Sequence, residues 1–98
     1  MENSRPSLPE ALAARIREIA AEHGVRDVRA FGSWVRGEAQ PDSDLDLLIR
    51  LESGRGFADF MAFCDEVESA VGRRVDVVAE DGLSSFIRDR VLAEAVAL

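Results

Sequence analysis

The stretch GSWVRGEAQPDSDLDLL, residues 32–48, combines a Gly-Ser pair with two closely spaced aspartates. Ten residues separate Ser33 from Asp44, and Asp46 follows after one leucine. Because successive side chains of a strand point to opposite faces, Asp44 and Asp46 would share one face and the leucines the other. Neighbouring carboxylates repel each other unless a positive charge lies between them. The stretch therefore has two interpretations: a half-exposed edge strand with solvated acids, or a site for phosphate and a metal ion.

The donor chemistry of the aspartates limits which metal is possible. Ligands that offer only oxygen favour Mg²⁺ or Mn²⁺ over zinc. Asp42, Asp44 and Asp46 also match the first three ligand positions of a calcium-binding EF-hand loop. That loop requires glycine at its sixth place and glutamate at its twelfth, where this chain has Leu47 and Ser53. The EF-hand interpretation is excluded.

The Gly-Ser pair could bind phosphate. Gly32 follows a predicted strand and precedes a possible helical turn, where a glycine allows the backbone to approach a ligand closely. Backbone N–H groups at the start of a helix attract phosphate, and the hydroxyl of Ser33 would add one donor. A Gly-Ser pair alone is common in turns, so this feature needs support from the rest of the sequence.

Asp76 is the third candidate residue. It lies in RVDVV, between valines, where a charged side chain needs an explanation. If this strand neighbours residues 44–51, Asp76 could complete a cluster of three carboxylates. The alternatives are that Asp76 faces solvent or pairs with Arg73 or Arg74.

The remaining pattern predicts a single domain over residues 1–98 in the order α-β-β-α-β-α, a small mixed sheet flanked by helices of the α/β (α+β) class. A loose lead-in over residues 1–6 precedes the first helix, which Ser7 caps and Gly24 ends; the imidazole of His23 would cap its C-terminal end. The second helix, with Cys64 as a small core residue, would bury one apolar side.

The predicted elements are strands at 25–31, 44–51 and 73–80, a short helical turn at 34–38, and helices at 57–71 and from 82 to the C-terminus. The predicted apolar side of the second helix contains Phe57, Phe60, Met61, Cys64, Val67 and Val71.

Composition excludes several classes of function. The 98 residues carry a net charge of −7, which argues against a broad basic face for nucleic acid and favours polyphosphate that arrives as a metal complex. All twelve basic residues are arginine, so a Walker-type or Schiff-base lysine is impossible. A lone cysteine forms no internal disulfide and suggests no zinc site. No signal peptide or membrane-spanning run is visible, so we expect a cytoplasmic protein.

Taken together, these motifs resemble a known family. Gly-Ser, ten residues, Asp-x-Asp and a third aspartate on a later strand are similar to the nucleotidyltransferases related to DNA polymerase β. More narrowly, FGSWVRGEAQPDSDLDLLI, RRVDVVAEDGLS and IRDRVLAEAV together resemble the minimal nucleotidyltransferases (MNT) of prokaryotes. The resemblance covers residues 8–97, and the joint spacing is far more specific than any one motif.

The resemblance implies a nucleotidyltransferase fold and transfer of a nucleoside monophosphate with two Mg²⁺ ions. Gly32 and Ser33 would match the family's triphosphate-binding turn. Asp44 and Asp46 would match its metal-binding carboxylates. Asp76 would match the third carboxylate of the metal site, which positions or deprotonates the acceptor hydroxyl. These roles agree with an in-line displacement in which the protein supplies mainly geometry and charge.

Two further residues and the partner follow from the same resemblance. Trp34 stands where many relatives carry a basic or small residue, so Arg36 would have to contact phosphate; Trp34 itself would either pack or stack on a base. Arg50, on the face of the aspartates by strand parity, would contact phosphate or offset the acids.

Small MNT proteins often pair with a HEPN-domain toxin, and several transfer AMP from ATP to a tyrosine of that toxin. The resemblance thus implies an antitoxin in a hetero-oligomer, with ATP as substrate and no nucleic acid or membrane as direct partner.

Two alternatives remain open from the sequence. The chain could neutralise its partner by binding alone, with a site that is vestigial or only holds nucleotide. Transfer to a small molecule such as an aminoglycoside is less favoured, because no second substrate domain is present.

Overall fold

The computed structural model describes residues 10–36 and 44–98, apart from the side chains of Trp34 and Arg36. The predicted lead-in and the capping residue Ser7 lie outside these residues. The elements along the chain are α1 (Glu10–Glu22), β1 (Val25–Phe31), α2 (Ser33–Arg36), β2 (Leu45–Leu51), α3 (Phe57–Val71), β3 (Val75–Ala79), a 3₁₀ turn (Glu80–Gly82), α4 (Ser85–Glu94) and β4 (Val96–Ala97).

The strands form one mixed sheet in the order β3-β2-β1-β4. β2 and β3 are parallel, whereas β1 is antiparallel to both β2 and β4. The predicted fold class, helices on a small mixed sheet, is therefore confirmed. The edge-strand interpretation of β2 is wrong, because β2 has a hydrogen-bonded neighbour on each side.

The prediction of a helix that continues to the C-terminus is also wrong. α4 ends at Glu94, and the short strand β4 then pairs with Arg29 and Ala30 of β1. The amide of Leu98 extends this pairing by donating to the carbonyl of Val28 at 3.1 Å. A two-residue strand has no periodicity to detect, and its only stabilising partner is a distant segment of the chain.

The hydrophobic core lies between one face of the sheet and the helices α1 and α3. Along β2, Leu45, Leu47 and Ile49 are fully buried on this face, as the alternating pattern predicts. Asp46, Leu48 and Arg50 lie on the opposite face of the same strand. Other core residues are Ile16 and Ile19 of α1, Ala30 of β1, Phe63 and Val67 of α3, and Val75 of β3.

The predicted apolar side of α3 is partly wrong. Phe63, which the prediction omitted, is fully buried, whereas Phe57 and Met61 are 76% and 41% exposed. Cys64 is only half-buried and lies outside the core cluster. The segment FADFMAFC is apolar around most of its circumference, so periodicity alone does not identify the side that faces the sheet.

α4 begins at a conventional cap but buries none of its residues. Ser84 accepts a hydrogen bond from the amide of Phe86 at 3.1 Å. Ile87 is 46% exposed, and Phe86 is 94% exposed. No helix within residues 10–36 and 44–98 combines the length and the apolar character needed to cross a membrane.

Replacement of Phe63 tests the core. Phe63→Ala is expected to lower the free energy of unfolding by about 3–5 kcal/mol, because it leaves a cavity under the sheet. The matched variant Phe57→Ala, on the same helix but exposed, should change it by less than about 0.5 kcal/mol. Urea unfolding measures both; Phe63→Leu, expected to cost less than about 1.5 kcal/mol, serves if Phe63→Ala does not fold. Equal effects at the two positions would contradict the assignment of the buried side of α3.

The Cys64 thiol provides an independent check on α3. Burial raises the pKa of Cys64, and the Asp65 and Glu68 carboxylates raise it further. Only the thiolate reacts quickly, so disulfide exchange with a chromogenic reagent at pH 8 should be slower than for an exposed peptide cysteine, and should accelerate as pH rises past the ordinary thiol pKa. A rate equal to that of the peptide at pH 8 would contradict this environment.

Candidate active site

The register of the parallel strands places Asp46 and Asp76 side by side. Asp46 of β2 is aligned with Asp76 of β3, one residue after the first aligned pair. Because adjacent strands lie roughly 4.8 Å apart and their aligned residues point the same way, both carboxylates are on the sheet face opposite the core. Asp46 is half-buried and Asp76 is exposed. β2 and β3 are thus adjacent strands, as the sequence analysis required for Asp76 to lie near Asp46.

Asp44 lies immediately before the first residue of β2. The amide of Leu45 donates to the carbonyl of Arg74 at 3.1 Å, which joins the chain just before β2 to the chain just before β3. This hydrogen bond fixes the entry to both strands at one end of the sheet. Asp44, Asp46 and Asp76 therefore all lie near the start of the parallel pair.

Gly32 brings the predicted phosphate turn against Asp46. It has a φ of +81°, which a residue with a side chain adopts only with strain. A Cβ at this position would collide with the Oδ2 atom of Asp46 and lie 3.1 Å from its Cγ. Glycine is needed here twice, for the backbone conformation and for the close approach to the carboxylate. The sequence pattern did not predict this contact; the only sequence signal is a glycine directly after a strand.

The short helix α2 follows this glycine. Ser33 is its first residue and is half-buried, and the carbonyl of Gly32 accepts a hydrogen bond from the amide of Val35 at 3.1 Å. The predicted short turn is therefore present, and it begins one residue earlier than expected; residues 37 and 38 lie outside the described part of the chain. The proposed roles of Trp34 and Arg36 depend on side chains that lie outside the described part of the chain.

Arg50 lies on the sheet face of Asp46 but contacts acids at the other end of β2. Its guanidinium lies 3.5 Å from Asp27 and 4.0 Å from Glu80. It lies four positions after Asp46, a distance of about 13 Å along a strand. The acids that Arg50 offsets are therefore Asp27 and Glu80, not Asp44 and Asp46 as predicted.

The three aspartates fit a divalent cation by donor type. Each offers carboxylate oxygen, the donor that Mg²⁺ prefers, and the alignment of Asp46 with Asp76 sets like charges next to each other. Among residues 10–36 and 44–98, a group of three possible metal ligands whose ligand atoms all lie within 4.8 Å of one another does exist, but it consists of Glu22, His23 and Glu66 and not of the three aspartates.

The second set joins two helices and lies apart from the aspartates in the fold. The Nε2 atom of His23 lies 2.9 Å from the Oε2 atom of Glu66, which links the end of α1 to α3. The His23 ring was predicted to cap α1; it contacts the neighbouring helix instead. We attribute this set to helix pairing.

Comparison with known proteins decides the family. The family described as nucleotidyltransferase domain matches residues 13–98. The chain belongs to this family. It is 40% identical to protein adenylyltransferase MntA of Thermococcus cleftensis over 87% of its own length and 86% of that protein. It is 34% identical to a protein of Methanocaldococcus jannaschii provisionally named as a protein adenylyltransferase, over 84% and 88% of the two chains.

Solved structures agree with this assignment and narrow it. A protein provisionally classed as a minimal nucleotidyltransferase is 44% identical and superposes with a TM-score of 0.80, covering 98% of this chain and all of that one. The chain is therefore a minimal nucleotidyltransferase, an enzyme of the nucleotidyl-transfer class.

More distant structures share the fold. A toxin–antitoxin structure with AMP-PNP is 17% identical, with a TM-score of 0.74 over 87% of this chain and 70% of that one. A complex of a tri-AMPylated HEPN toxin with an MNT antitoxin from Shewanella oneidensis is 14% identical, with a TM-score of 0.68 over 90% and 69% of the two chains.

Two glycine variants separate the conformational role of Gly32 from its contact with Asp46. Gly72 has a φ of +76°, but a Cβ there meets no atom within 4 Å. Gly32→Ala and Gly72→Ala should each lose about 1–2 kcal/mol of stability from the left-handed backbone. Only Gly32→Ala should also weaken Mn²⁺ binding, measured by calorimetry with a non-hydrolysable ATP analogue present. Equal Mn²⁺ binding by both variants would contradict a role for the Gly32–Asp46 approach.

Proposed function

We propose that this minimal nucleotidyltransferase is a Mg²⁺-dependent protein adenylyltransferase that transfers AMP from ATP to a tyrosine hydroxyl of a HEPN-domain toxin, and so acts as its antitoxin. The observation that carries the proposal is the alignment of Asp46 with Asp76 beside the Gly32 turn. The names of its 40% identical relative and of the structurally similar HEPN complex support the acceptor and the transferred group.

Different residues would bind the triphosphate and the metal ion. The backbone at Gly32 and the hydroxyl of Ser33 would bind the triphosphate, and the absence of a Cβ at Gly32 lets this turn lie directly against Asp46. Asp44 and Asp46 would hold Mg²⁺ together with Asp76. Bound divalent ions would supply charge stabilisation for the attacking oxygen and for the departing pyrophosphate.

The transfer itself makes one bond and breaks one. The acceptor oxygen forms a bond to the α-phosphorus as the bond to the bridging oxygen of the β-phosphate breaks, and pyrophosphate leaves. Asp76 is exposed at the start of an edge strand, where an acceptor protein has access to it. Its carboxylate would orient the tyrosine hydroxyl and accept its proton.

Transfer of label from ATP tests this function. The chain is incubated with ATP labelled at the α-phosphate, Mg²⁺ and the product of the adjacent gene, which the proposal expects to be a HEPN-domain protein. Asp44→Asn with Asp46→Asn should reduce labelling more than about 100-fold, because the charges that hold the metal are lost. Asp65→Asn, an exposed aspartate of α3, should label at the parent rate. Chelation of Mg²⁺ by EDTA should abolish labelling, and added Mg²⁺ should restore it.

The same assay separates enzyme from binding module. If the double aspartate variant still binds the toxin and neutralises it without labelling it, the chain acts by binding alone and not by catalysis. Label on a residue other than tyrosine, identified by mass spectrometry, would correct the acceptor without changing the reaction.

A further inference from the structure

The residues assigned to the proposed transfer supply three carboxylates and, within the described part of the chain, no cationic side chain. The departing pyrophosphate gains negative charge as its bond to the α-phosphorus breaks. Sites for this chemistry place arginine or lysine beside the metal ions to stabilise that charge. The chain contains no lysine, so a permanently charged side chain beside the phosphates has to be an arginine. The predicted phosphate contact Arg36 has a side chain outside the described residues.

The pairing of β1 with β2 places Arg29 on the sheet face that carries the acids. Phe31 of β1 is aligned with Asp46, and Arg29, two positions earlier, is aligned with Leu48. Aligned residues of neighbouring strands share a face, and so do alternate residues of one strand, so Arg29 and Asp46 are diagonal neighbours on one face. Diagonal neighbours have Cα atoms about 7–8 Å apart, a separation that long side chains span.

The surroundings of Arg29 leave its charge without a partner in the protein. The residues directly opposite it on the two neighbouring strands are Leu48 and Ala97, which carry no charge. The nearest acid on the same face of its own strand is Asp27, whose carboxylate lies 3.5 Å from Arg50. Arg29 is half-buried, and no ion pair formed within residues 10–36 and 44–98 includes it. Leu48 is 1% exposed, so the methylene stem of Arg29 has an apolar neighbour while its charged end stays accessible.

The other arginines of the described strands are placed less favourably. Arg26 is exposed at the start of β1, away from the Gly32 turn, and Arg50 lies four positions beyond Asp46 and pairs with other acids. Arg74 is the competing candidate, because it is exposed directly before β3, at the end of the sheet where the aspartates lie. However, β2 separates it from β1, the strand that leads into the Gly32 turn.

We propose that Arg29 binds the phosphate chain of the metal-bound nucleotide and positions the departing pyrophosphate. In the sheet, Asp76 of β3 flanks Asp46 on one side, and β1, with Arg29 and the Gly32 turn, flanks it on the other. An in-line displacement needs the attacking and leaving oxygens on opposite sides of the α-phosphorus. The acceptor hydroxyl would lie on the β3 side and the pyrophosphate on the β1 side, within reach of the Arg29 guanidinium. The nucleotide as ligand rests on the proposed function.

Calorimetry without any acceptor protein tests this contact. The probes are inorganic tripolyphosphate and the α,β-methylene analogue of ATP, which cannot transfer AMP, each with saturating Mg²⁺. Arg29→Gln should weaken Kd for both probes about 10- to 100-fold, because charge-assisted hydrogen bonds to phosphate are lost. Arg29→Lys should recover part of this affinity, since lysine keeps the charge but not the planar fork. Arg26→Gln, the matched control on the same strand, should leave both values within twofold, and thermal unfolding checks that each variant is folded.

Binding of Mn²⁺ without nucleotide separates a phosphate contact from a simple offset of the aspartates. A guanidinium that only offsets the acids opposes the metal, so Arg29→Gln would then tighten Mn²⁺ binding and would not weaken the binding of either probe. That pair of results overturns the inference. A phosphate contact instead predicts weaker binding of both probes together with Mn²⁺ affinity at or above that of the parent chain.

Further outcomes identify the contact and separate it from the proposed function. Weaker binding of the ATP analogue with unchanged binding of tripolyphosphate assigns Arg29 to the nucleoside and overturns the phosphate contact. Weaker binding of both probes in Arg74→Gln, with none in Arg29→Gln, overturns it as well. AMP transfer to the partner with an unchanged KM for ATP in Arg29→Gln overturns this inference and leaves the proposed function standing. Arg29-dependent binding of both probes by a chain that transfers no AMP supports the inference and refutes the proposed transfer.

Discussion

The alignment of Asp46 with Asp76 is the constraint on which the rest of the structure depends. Two like charges stand side by side on neighbouring strands, an arrangement that is unfavourable by itself. It is held by the opposite face of the sheet, where Leu45, Leu47 and Ile49 are fully buried. A slip of one residue in β2 would expose these side chains and turn the carboxylate of Asp46 into the core. Core packing thus fixes the register that brings the acids together.

The turn after β1 adds a second constraint to the same carboxylate. Gly32 lies against Asp46, and its left-handed backbone conformation leads directly into α2. The antiparallel pairing of β1 with β2 brings the end of β1 next to Asp46, which aligns with Phe31. Consequently the turn at Gly32 and the carboxylate of Asp46 are positioned by one sheet.

Sequence reasoning reached the sheet and the strand positions of Asp46 and Asp76 because both depend on local patterns. Alternation along β2 predicted which residues face the core, and the valines around Asp76 predicted a strand. Three features escaped it for physical reasons. The buried side of α3 was misassigned because that helix is apolar around most of its surface. β4 has too few residues to show a period. The approach of Gly32 to Asp46 arises only from tertiary packing.

The pairing of β1 with β4 has a consequence for how the chain folds during synthesis. β1 and β2 can pair early, but the other edge of β1 receives its partner only after Val96 and Ala97 have been made. Until then the backbone groups at Arg29 and Ala30 form an open strand edge, the kind of template on which other strands assemble. The nascent protein therefore passes through a stage in which this edge is exposed to aggregation, until β4 has been made and has paired with β1.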